Sequence, residues 1–221
     1  MKNIVLFGGG NQVHYTLDII EKQGLYNVVG IIDSVHEIGS DRFGYKVIGR
    51  QEDIKSLIEE YGIDAGIITI GDNWIRYYIS EQIKTLVKDF EFVNAIHPSV
   101  IIGNNVQIGT GVVAMAGVII NPMAKIGNHT FFATGCQIEH DCTIEDYASV
   151  SAGSVLGGYV HIKKYSAVTL GVTILDRLTI GQNSVIGSGS LVIKNVPDNI
   201  LAYGNPSKNV RFRAEGEKFL K

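Results

Sequence analysis

The sequence predicts an α/β unit of about 95 residues followed by an all-β solenoid of parallel strands. Apolar residues recur every six positions through the second half of the chain, and a glycine often follows them. Before that point, short apolar runs that end in glycine or aspartate alternate with stretches of helical periodicity. Strands that alternate with helices are typical of a parallel sheet, whereas helices cannot keep a strict six-residue period.

The composition narrows the class of protein. The chain has 221 residues, 45% of them apolar, a formal net charge of −3 and no run of lysine and arginine. A protein that binds nucleic acid would normally present a basic face, so that class is disfavoured. The first apolar run, residues 4–7, is too short for the core of a signal peptide, and no apolar stretch approaches the roughly 18 residues of a membrane helix. We therefore expect a cytoplasmic protein without membrane insertion.

The first part of the chain has the pattern of a small parallel sheet covered by helices. Its first strand, residues 4–7, leads into a glycine loop and a helix over residues 12–23. In such sheets, ligands bind at the carboxyl ends of the strands. The further predicted elements are a strand over 28–32, a helix over 51–61, a strand over 65–70, a helix through 75–83 and a short strand over 93–96.

Three of these strand ends carry residues suited to binding a nucleotide. Backbone N–H groups of a glycine loop before a helix can hold phosphate, and a carboxylate at Asp33 can accept a hydrogen bond from a ribose hydroxyl or a base. The dinucleotide fingerprint would need glycine at Val13, which disfavours NAD. A structural turn without a ligand remains the alternative. The candidate nucleotide-binding residues are Gly8, Gly9, Gly10, Asn11, Gln12, Asp33, Ser34, Gly71, Asp72 and Asn73.

The second part of the chain keeps a six-residue register without a slip. Every sixth residue from Ile96 to Val192 is apolar, and the position four residues after each is small or medium-sized except at Leu178. Three six-residue sides make a coil of about 18 residues, so each residue is expected to stack on the residue 18 positions later. Cys136 and Cys142 fall on small positions, which predicts packing roles instead of a disulfide or a zinc site.

Several motifs connect the two parts of the chain to a known family. They are Gly8-Gly9-Gly10, residues 70–73 with Arg76, residues 94–99 (Asn-Ala-Ile-His-Pro-Ser), residues 139–142 (Glu-His-Asp-Cys) and Gly204-Asn205-Pro206. With these motifs, the chain resembles the bacterial nucleotide-sugar N-acetyltransferases of the bacillosamine and perosamine pathways and their sialic acid O-acetyltransferase relatives, within the hexapeptide-repeat superfamily. The resemblance covers nearly the whole chain.

This resemblance implies a fold, an assembly and an activity. The solenoid would be a left-handed parallel β-helix after a Rossmann-like α/β unit, and the protein a homotrimer with active sites between neighbouring subunits. Acetyl-CoA or another acyl-CoA would be the co-substrate, and the acceptor would be the amino group of a nucleotide-linked sugar used in polysaccharide biosynthesis. The chain would divide into a nucleotide-sugar-binding domain over 1–95, a β-helix acyltransferase domain over 96–196 and a tail over 197–221 that contributes to the CoA site.

The resemblance also assigns roles to individual positions. In the family, the histidine that matches His140 is the general base. Some members carry a second active-site histidine nine residues later, where this chain has Ser149, so the role of that position and the shape of the acyl pocket stay open. The positions that the resemblance assigns to CoA are Ser149, Gly171, Gly189, Pro206 and Lys208.

The residues around His140 suit the aminolysis of a thioester. Such a reaction needs a base that collects the proton of the amine and a donor for the developing oxyanion. Imidazole titrates at about pH 6.5, and the neighbouring Asp141 can fix its tautomer and raise its basicity. One coil further on, Gly158 is expected to leave its backbone N–H uncovered beside the base, which makes this N–H the candidate oxyanion donor. Corner geometry alone would explain the glycine equally well.

Three functions remain to be separated at this point. Acyl transfer to the amino group of a nucleotide sugar leads, but the same base could serve a sugar O-acyltransferase. A nucleotide-binding trimeric scaffold without catalysis is the non-enzymatic alternative, and the intact His140, Asp141 and Gly158 argue against it. Zinc chemistry would need converging histidines, but His129, His140 and His161 are separated by 11 and 21 residues, which are not multiples of the coil length, so no metal site is expected.

Overall fold

The first part of the chain folds around a five-stranded sheet of order β3-β4-β2-β1-β5 in the computed structural model, which describes residues 1–219. All pairings in this sheet are parallel except that of β3 with β4. The strands are β1 Lys2–Phe7, β2 Tyr26–Ile32, β3 Asp41–Arg42, β4 Tyr45–Gly49 and β5 Ala65–Ile68, and the helices are α1 Gln12–Gln23, α2 Ile54–Tyr61 and α3 Asn73–Leu86.

The sequence locates these elements but not all of their ends. The helix predicted over 51–61 begins with a 3-10 turn at Gln51–Asp53 and is α-helical only afterwards. The strand predicted over 65–70 ends two residues earlier. The β3–β4 pair is an addition, because a two-residue strand such as β3 shows no periodicity in a sequence.

The sheet is buried on both of its faces. Residues 4–7 of β1 are fully buried, as is usual for a central parallel strand that helices cover on both sides. Helices α1 and α2 each end at a glycine in the left-handed conformation, Gly24 and Gly62, which only glycine adopts without steric cost. Within residues 1–219, no helix combines the length and the apolarity that crossing a membrane requires.

The second part of the chain is a triangular solenoid with three parallel sheets, which we call faces 1, 2 and 3. Successive strands pair with an offset of 18 residues, as Ile120 does with Ile138 and Ile138 with Leu156, so the predicted coil length is confirmed. Face 1 comprises β7 Ile101–Ile102, β10 Ile119–Ile120, β13 Gln137–Ile138, β16 Val155–Leu156, β19 Thr173–Ile174 and β22 Leu191–Val192. Face 2 comprises β8 Gln107–Ile108, β11 Lys125–Ile126, β14 Thr143–Ile144, β17 His161–Ile162 and β20 Thr179–Ile180. Face 3 comprises β6 Ala95–Ile96, β9 Val113–Ala114, β12 Phe131–Phe132, β15 Ser149–Val150, β18 Ala167–Val168, β21 Val185–Ile186, β23 Ile200–Gly204 and β24 Ser207–Phe212.

Residues at the six-residue positions fill the interior of the solenoid. Phe132 and Ile138 are fully buried, whereas Ile102 in the first coil is 44% exposed because its strand is the last one of face 1 at that end. Cys136 and Cys142 are free thiols and fully buried, and burial raises their pKa to about 12 and about 11 respectively. These thiols are therefore packing residues, as their place in the repeat predicts.

Helix α3 joins the α/β unit to the corner between faces 2 and 3. Trp74 stacks on Tyr165, with ring centroids 4.1 Å apart, and its indole N–H donates to Asn183 Oδ1 at 2.9 Å. Arg76 is 2% exposed and donates to the backbone carbonyls of His129 and Tyr147 on the solenoid. The two parts are thus linked by stacking and by directed hydrogen bonds, which fix the space between them.

Candidate active site

The glycine loop lies at the carboxyl end of β1, as the sequence predicts. Gly8 has a φ of +109°, and a Cβ at this position would lie 2.6 Å from the Ile70 side chain. A Cβ on Gly9 would lie 2.9 Å from Asp33 Oδ2. Both positions therefore require glycine, because the loop passes directly over the ends of neighbouring strands. A Cβ on Gly10 would meet no atom within 4 Å, so the loop faces open space there.

Asp33 lies at the end of β2 beside this loop and has a partner that the sequence did not reveal. Its Oδ2 accepts a hydrogen bond from the backbone N–H of His36 at 3.1 Å, and the His36 Nδ1 lies in very short contact with the same oxygen. Burial alone would raise the pKa of Asp33, but the hydrogen bonds from His36 outweigh burial and hold the pKa below its ordinary value. Asp33 is therefore an anion with one oxygen already engaged.

One arginine from the β3–β4 region reaches the loop, and a second reaches the residues that follow β2. The Arg42 Nε donates to the Gly9 carbonyl at 2.9 Å, and the Arg50 Nη1 donates to the His36 carbonyl at 2.6 Å. Ser34, a predicted contact, is exposed at the rim of the site. Cationic side chains beside a glycine loop and the start of a helix favour an anionic group such as a diphosphate.

The loop after β5 mainly makes contacts that hold the α/β unit on the solenoid, a region that we call the joint. Asp72 Oδ1 accepts from the backbone N–H groups of Trp74 and Ile75 and so caps α3. Asn73 is fully buried, donates to two solenoid carbonyls and accepts from Arg76. The Asn73 amide is thus engaged in holding the two parts together, and its contact with the nucleotide-sugar stays a prediction.

A cleft of about 200 Å³ separates the α/β unit from face 3. Two of its lining residues carry buried polar groups without a hydrogen-bond partner among residues 1–219, namely the amide of Gln12 and the hydroxyl of Ser149. Ser149 is 2% exposed, so an unmade hydrogen bond there is costly unless a ligand supplies a partner. The cleft is lined by Gln12, Tyr15, Gly71, Phe131, Ser149, Ser151 and Phe219.

The residues assigned to CoA are dispersed over the solenoid. Ser149 lies in the cleft beside Gln12, whereas Gly171 and Gly189 lie at the corner between faces 3 and 1 with φ of +63° and +70°. Pro206 and Lys208 belong to the β23–β24 hairpin. The predicted tail over 197–221 therefore divides into this hairpin and a returning segment, and residues 220–221 lie outside the described residues.

His140 lies at the corner between faces 1 and 2 and forms a pair with its neighbour Asp141. The distance between His140 Nδ1 and Asp141 Oδ2 is 2.9 Å, and the side chain of His140 is 53% exposed. Tyr159 contacts the imidazole edge-on, with ring centroids 5.4 Å apart. A proton on Nδ1 that is held by the carboxylate leaves the lone pair of Nε2 available as a base.

Gly158 stacks on His140, as the register predicts, but its N–H differs from the prediction. The N–H donates to Asp176 Oδ1 at 3.0 Å, so the expectation of an uncovered N–H is wrong. The physical reason is that Asp176, on the next coil 18 residues further along, places its carboxylate beside this N–H. The glycine instead makes room for the base, because a Cβ there would lie 2.8 Å from His140 Nε2.

A cationic cavity of about 300 Å³ lies at the far end of the same corner. Lys194 and Lys208 line it together with Asn195 and Ser207, whose hydroxyl has no partner among the described residues. Lys194 is separated from His140 by three coils, which corresponds to roughly 14 Å along the solenoid axis. The sequence did not single out Lys194, although the 18-residue step from His140 leads to it.

Within one chain, the base and the cleft lie on different sides of the solenoid. His140 is at the corner between faces 1 and 2, whereas the cleft is formed on face 3. His140 is accordingly not among the residues that line the cleft.

Comparison with known proteins identifies both parts of the chain. Residues 3–83 match the model of the PglD N-terminal domain, and residues 123–158 match that of the bacterial transferase hexapeptide, six repeats. The chain therefore combines a PglD-type N-terminal domain with the hexapeptide repeat, and the resemblance that the motifs indicated is confirmed.

Relatives of known activity differ in how much of the chain they share. The GDP-perosamine N-acetyltransferase of Escherichia coli O157:H7 is 27% identical over 217 residues, which are 93% of this chain and 95% of that protein. The galactoside O-acetyltransferase of Lactococcus lactis subsp. lactis (strain IL1403) is 35% identical over 106 residues, or 47% of this chain. The chain spans about half the length of that enzyme and of several other curated relatives that it matches.

Solved structures resemble the whole chain. PerB from Caulobacter crescentus, in complex with CoA and GDP-perosamine, superposes with a TM-score of 0.88 at 29% identity and covers 96% of this chain and 98% of its own. The acetyltransferase domain of PglB from Neisseria gonorrhoeae FA1090, with acetyl coenzyme A, gives a TM-score of 0.85 at 25% identity, with 95% and 99% covered. The predicted fold class, an α/β unit followed by a left-handed parallel β-helix, is confirmed.

Proposed function

We propose that this protein transfers an acyl group, most simply acetyl, from acyl-CoA to the amino group of a nucleotide-linked amino sugar. The observation that carries the proposal is the division of one site over two sides of the solenoid, with a His140–Asp141 pair on one and a ligand cleft on the other. A homotrimer would bring the base of one chain to the cleft of its neighbour. Because acyl-CoA is supplied inside the cell, the reaction would take place in the cytoplasm, as a step of polysaccharide biosynthesis.

The chemistry follows from the His140 pair. The acceptor amine attacks the thioester carbonyl, and His140 Nε2 takes the proton that the amine loses as the C–N bond forms. The tetrahedral intermediate then expels the CoA thiolate, which accepts a proton from the imidazolium, so the histidine returns to its neutral form. Asp141 holds the Nδ1 proton throughout and stabilises the transient imidazolium.

The donor would lie along the corner that carries His140. Twelve bonds separate the thioester sulfur from the first phosphate oxygen of CoA, as many as in four residues of extended chain, so the pantetheine arm spans roughly 14 Å. This length equals the rise from His140 to Lys194. Lys194 and Lys208 would then meet the phosphates, while Gly171 and Gly189 of the neighbouring chain would leave room for the arm.

The acceptor would bind at the glycine loop and in the cleft. The loop, the start of α1 and the Arg42 side chain suit the diphosphate, and the Asp33 carboxylate can accept a hydrogen bond from the nucleoside. The sugar would then extend into the cleft, where the Gln12 amide and the Ser149 hydroxyl have no hydrogen-bond partners within residues 1–219. Structures of PerB hold CoA and GDP-perosamine together, which supports two such subsites in this family.

A sugar hydroxyl could be acylated by the same base, which is the second candidate. The local similarity to galactoside O-acetyltransferase favours it, but that similarity covers under half of the chain. The PglD-type domain and the full-length similarity to GDP-perosamine N-acetyltransferase favour the amine.

The test is a panel of acceptors with acetyl-CoA, with free thiol release followed and the products identified by mass. GDP-, UDP- and dTDP-linked 4-amino sugars are compared with the corresponding hydroxy sugars. His140→Ala should lower kcat by roughly 10²–10⁴, the usual range for a lost general base. His161→Ala is the matched control, since His161 also pairs with a carboxylate, Glu145, at 2.6 Å on face 2. Acylation of hydroxy sugars alone would support the second candidate, and no transfer to any acceptor would refute the proposal.

A further inference from the structure

Residues 213–219, which we call the strap, return from the β23–β24 hairpin to the cleft. At the start of the strap, the Arg213 N–H donates to the Asn199 carbonyl at 2.8 Å. At the other end, Phe219 lines the cleft together with Gln12 and Tyr15 of α1 and with residues of face 3. The strap follows the last coil of the solenoid in the sequence, and it nevertheless forms part of the wall of a cleft that lies beside earlier coils.

The strap is held by an ion network around the buried Arg213. Arg213 is 3% exposed, and its guanidinium donates to the Asn183 carbonyl, to Glu217 Oε1 and to the Glu217 carbonyl. Arg211 donates to both carboxylate oxygens of Glu217, at 2.6 and 3.1 Å. The Arg211 guanidinium lowers the pKa of Glu217 to about 2. The network fixes the chain two residues before Phe219.

The strap is also tied to the joint between the two parts of the molecule. The Asn183 amide donates to the Ala214 carbonyl at 2.9 Å, and its Oδ1 accepts from the Trp74 indole at 2.9 Å. One side chain thus connects α3, the solenoid and the strap. Phe219 is consequently held at the cleft, although it belongs to no strand or helix.

The lining of the cleft combines two kinds of surface. Phe131 and Phe219 are aromatic, whereas Gln12 and Ser149 supply polar groups without partners among the described residues. A pyranose ring has the same two kinds of surface, because its hydroxyl and amino groups project from the ring edge and its C–H groups form apolar faces. Aromatic side chains pack well on such faces, and buried polar groups need partners.

We propose that Phe219 is a sugar-binding residue, carried by the strap onto the acceptor while Gln12 and Ser149 bind the polar edge of the sugar. This inference rests on the proposed function and adds a specificity residue to it. The nucleoside and the diphosphate lie beside the glycine loop and do not depend on the strap. Phe219 therefore affects recognition of the sugar and leaves recognition of the nucleotide unchanged.

Titration calorimetry on the full-length protein separates the two subsites. The probes are GDP, UDP and dTDP and the 4-amino sugars linked to the same nucleotides, of which GDP-perosamine is one. For the nucleotide that the wild type binds, Phe219→Ala should weaken binding of the amino-sugar conjugate roughly 3- to 10-fold, the contribution of one aromatic contact, and leave binding of the bare nucleotide unchanged. Lys218→Ala, at the exposed neighbouring position, is the matched control and should change neither affinity.

Glu217→Gln tests the strap itself, because it keeps Phe219 and removes the charge that anchors it. This variant should show the same selective loss as Phe219→Ala. If Phe219→Ala binds the conjugate as tightly as the wild type, or loses affinity for the bare nucleotide equally, the inference is overturned and the proposed function stands. If the wild type binds no nucleotide of the set, the proposed function fails, and the inference fails with it.

Discussion

The distance between Gly158 and His140 allows the effect of Gly158→Ala on catalysis to be predicted. In Gly158→Ala, the new Cβ would lie 2.8 Å from His140 Nε2 and 2.9 Å from Cε1, closer than real Cβ atoms approach other atoms. The backbone at Gly158 is not in the left-handed region, so alanine is tolerated there. The imidazole must give way, and it can, because its side chain is half exposed.

The expected result is a folded protein with a misplaced base. A displaced rotamer costs about 0.5–1.5 kcal/mol, so the free energy of unfolding in urea should change by no more than that. The loss of a positioned base should lower kcat by roughly 10²–10⁴, equivalent to about 3–5 kcal/mol of transition-state stabilisation. The assay is steady-state thiol release from acetyl-CoA with the amino-sugar nucleotide as acceptor.

The double variant Gly158→Ala/His140→Ala distinguishes the mechanism of the loss. If Gly158 acts only by making room for the imidazole, the double variant should be no slower than His140→Ala alone. A Gly158→Ala protein with normal kcat would refute the reasoning. A double variant much slower than His140→Ala would show that the glycine has a role of its own, such as an oxyanion contact through its N–H.

Three further predictions concern stability and donor binding. Burial, with the positive charges of Lys84 and Arg76, lowers the pKa of His129 to about 3. Below about pH 6.5, the unfolded chain therefore binds a proton at His129 that the folded chain does not bind. The free energy of unfolding should fall by about 2–3 kcal/mol between pH 6.5 and 4.5. Urea unfolding at both pH values should show this loss in the wild type and much less of it in His129→Phe. Arg76→Met should lower the free energy of unfolding by about 3–5 kcal/mol in the same assay, because it leaves buried carbonyls without donors. A loss below 1 kcal/mol would contradict the role of Arg76 in the joint. Replacing Lys194 and Lys208 by glutamine should raise the KM for acetyl-CoA and flatten its dependence on salt, while the KM for the acceptor stays constant; an equal rise in both would place the phosphates elsewhere.

The repeat was predictable because its signal is periodic. A six-residue register fixes which residues lie inside and which residues stack, and it placed Gly158 on His140 without structural information. The bond from Gly158 to Asp176 was not predicted, because Asp176 lies one coil beyond the pair that the register brings together. The glycine loop and Asp33 were predictable from their position after buried strands, since strand ends meet at one edge of a parallel sheet.

Other parts of the site have no local signal in the sequence. Arg42 reaches the loop from the two-residue strand β3, which shows no periodicity, and His36 reaches Asp33 from the turn after β2. Asn73 was assigned to the ligand because it follows a strand, but tertiary packing uses its amide in the joint. Phe219 reaches the cleft only because an ion network directs the strap back along the solenoid, and long-range contacts of this kind cannot be read from spacing.

The central claim is that the base of one chain serves the cleft of its neighbour, and complementation tests it most directly. One inactive variant, His140→Ala, lacks the base, and a second, Gln12→Trp, fills the cleft. Refolding the two together in equal amounts gives mixed trimers, which size-exclusion chromatography with light scattering should confirm. Activity should return to about a quarter of the wild-type value, because each site then needs two particular neighbours, each chosen with even odds. Mixed trimers that stay as inactive as either parent would contradict a site shared between chains.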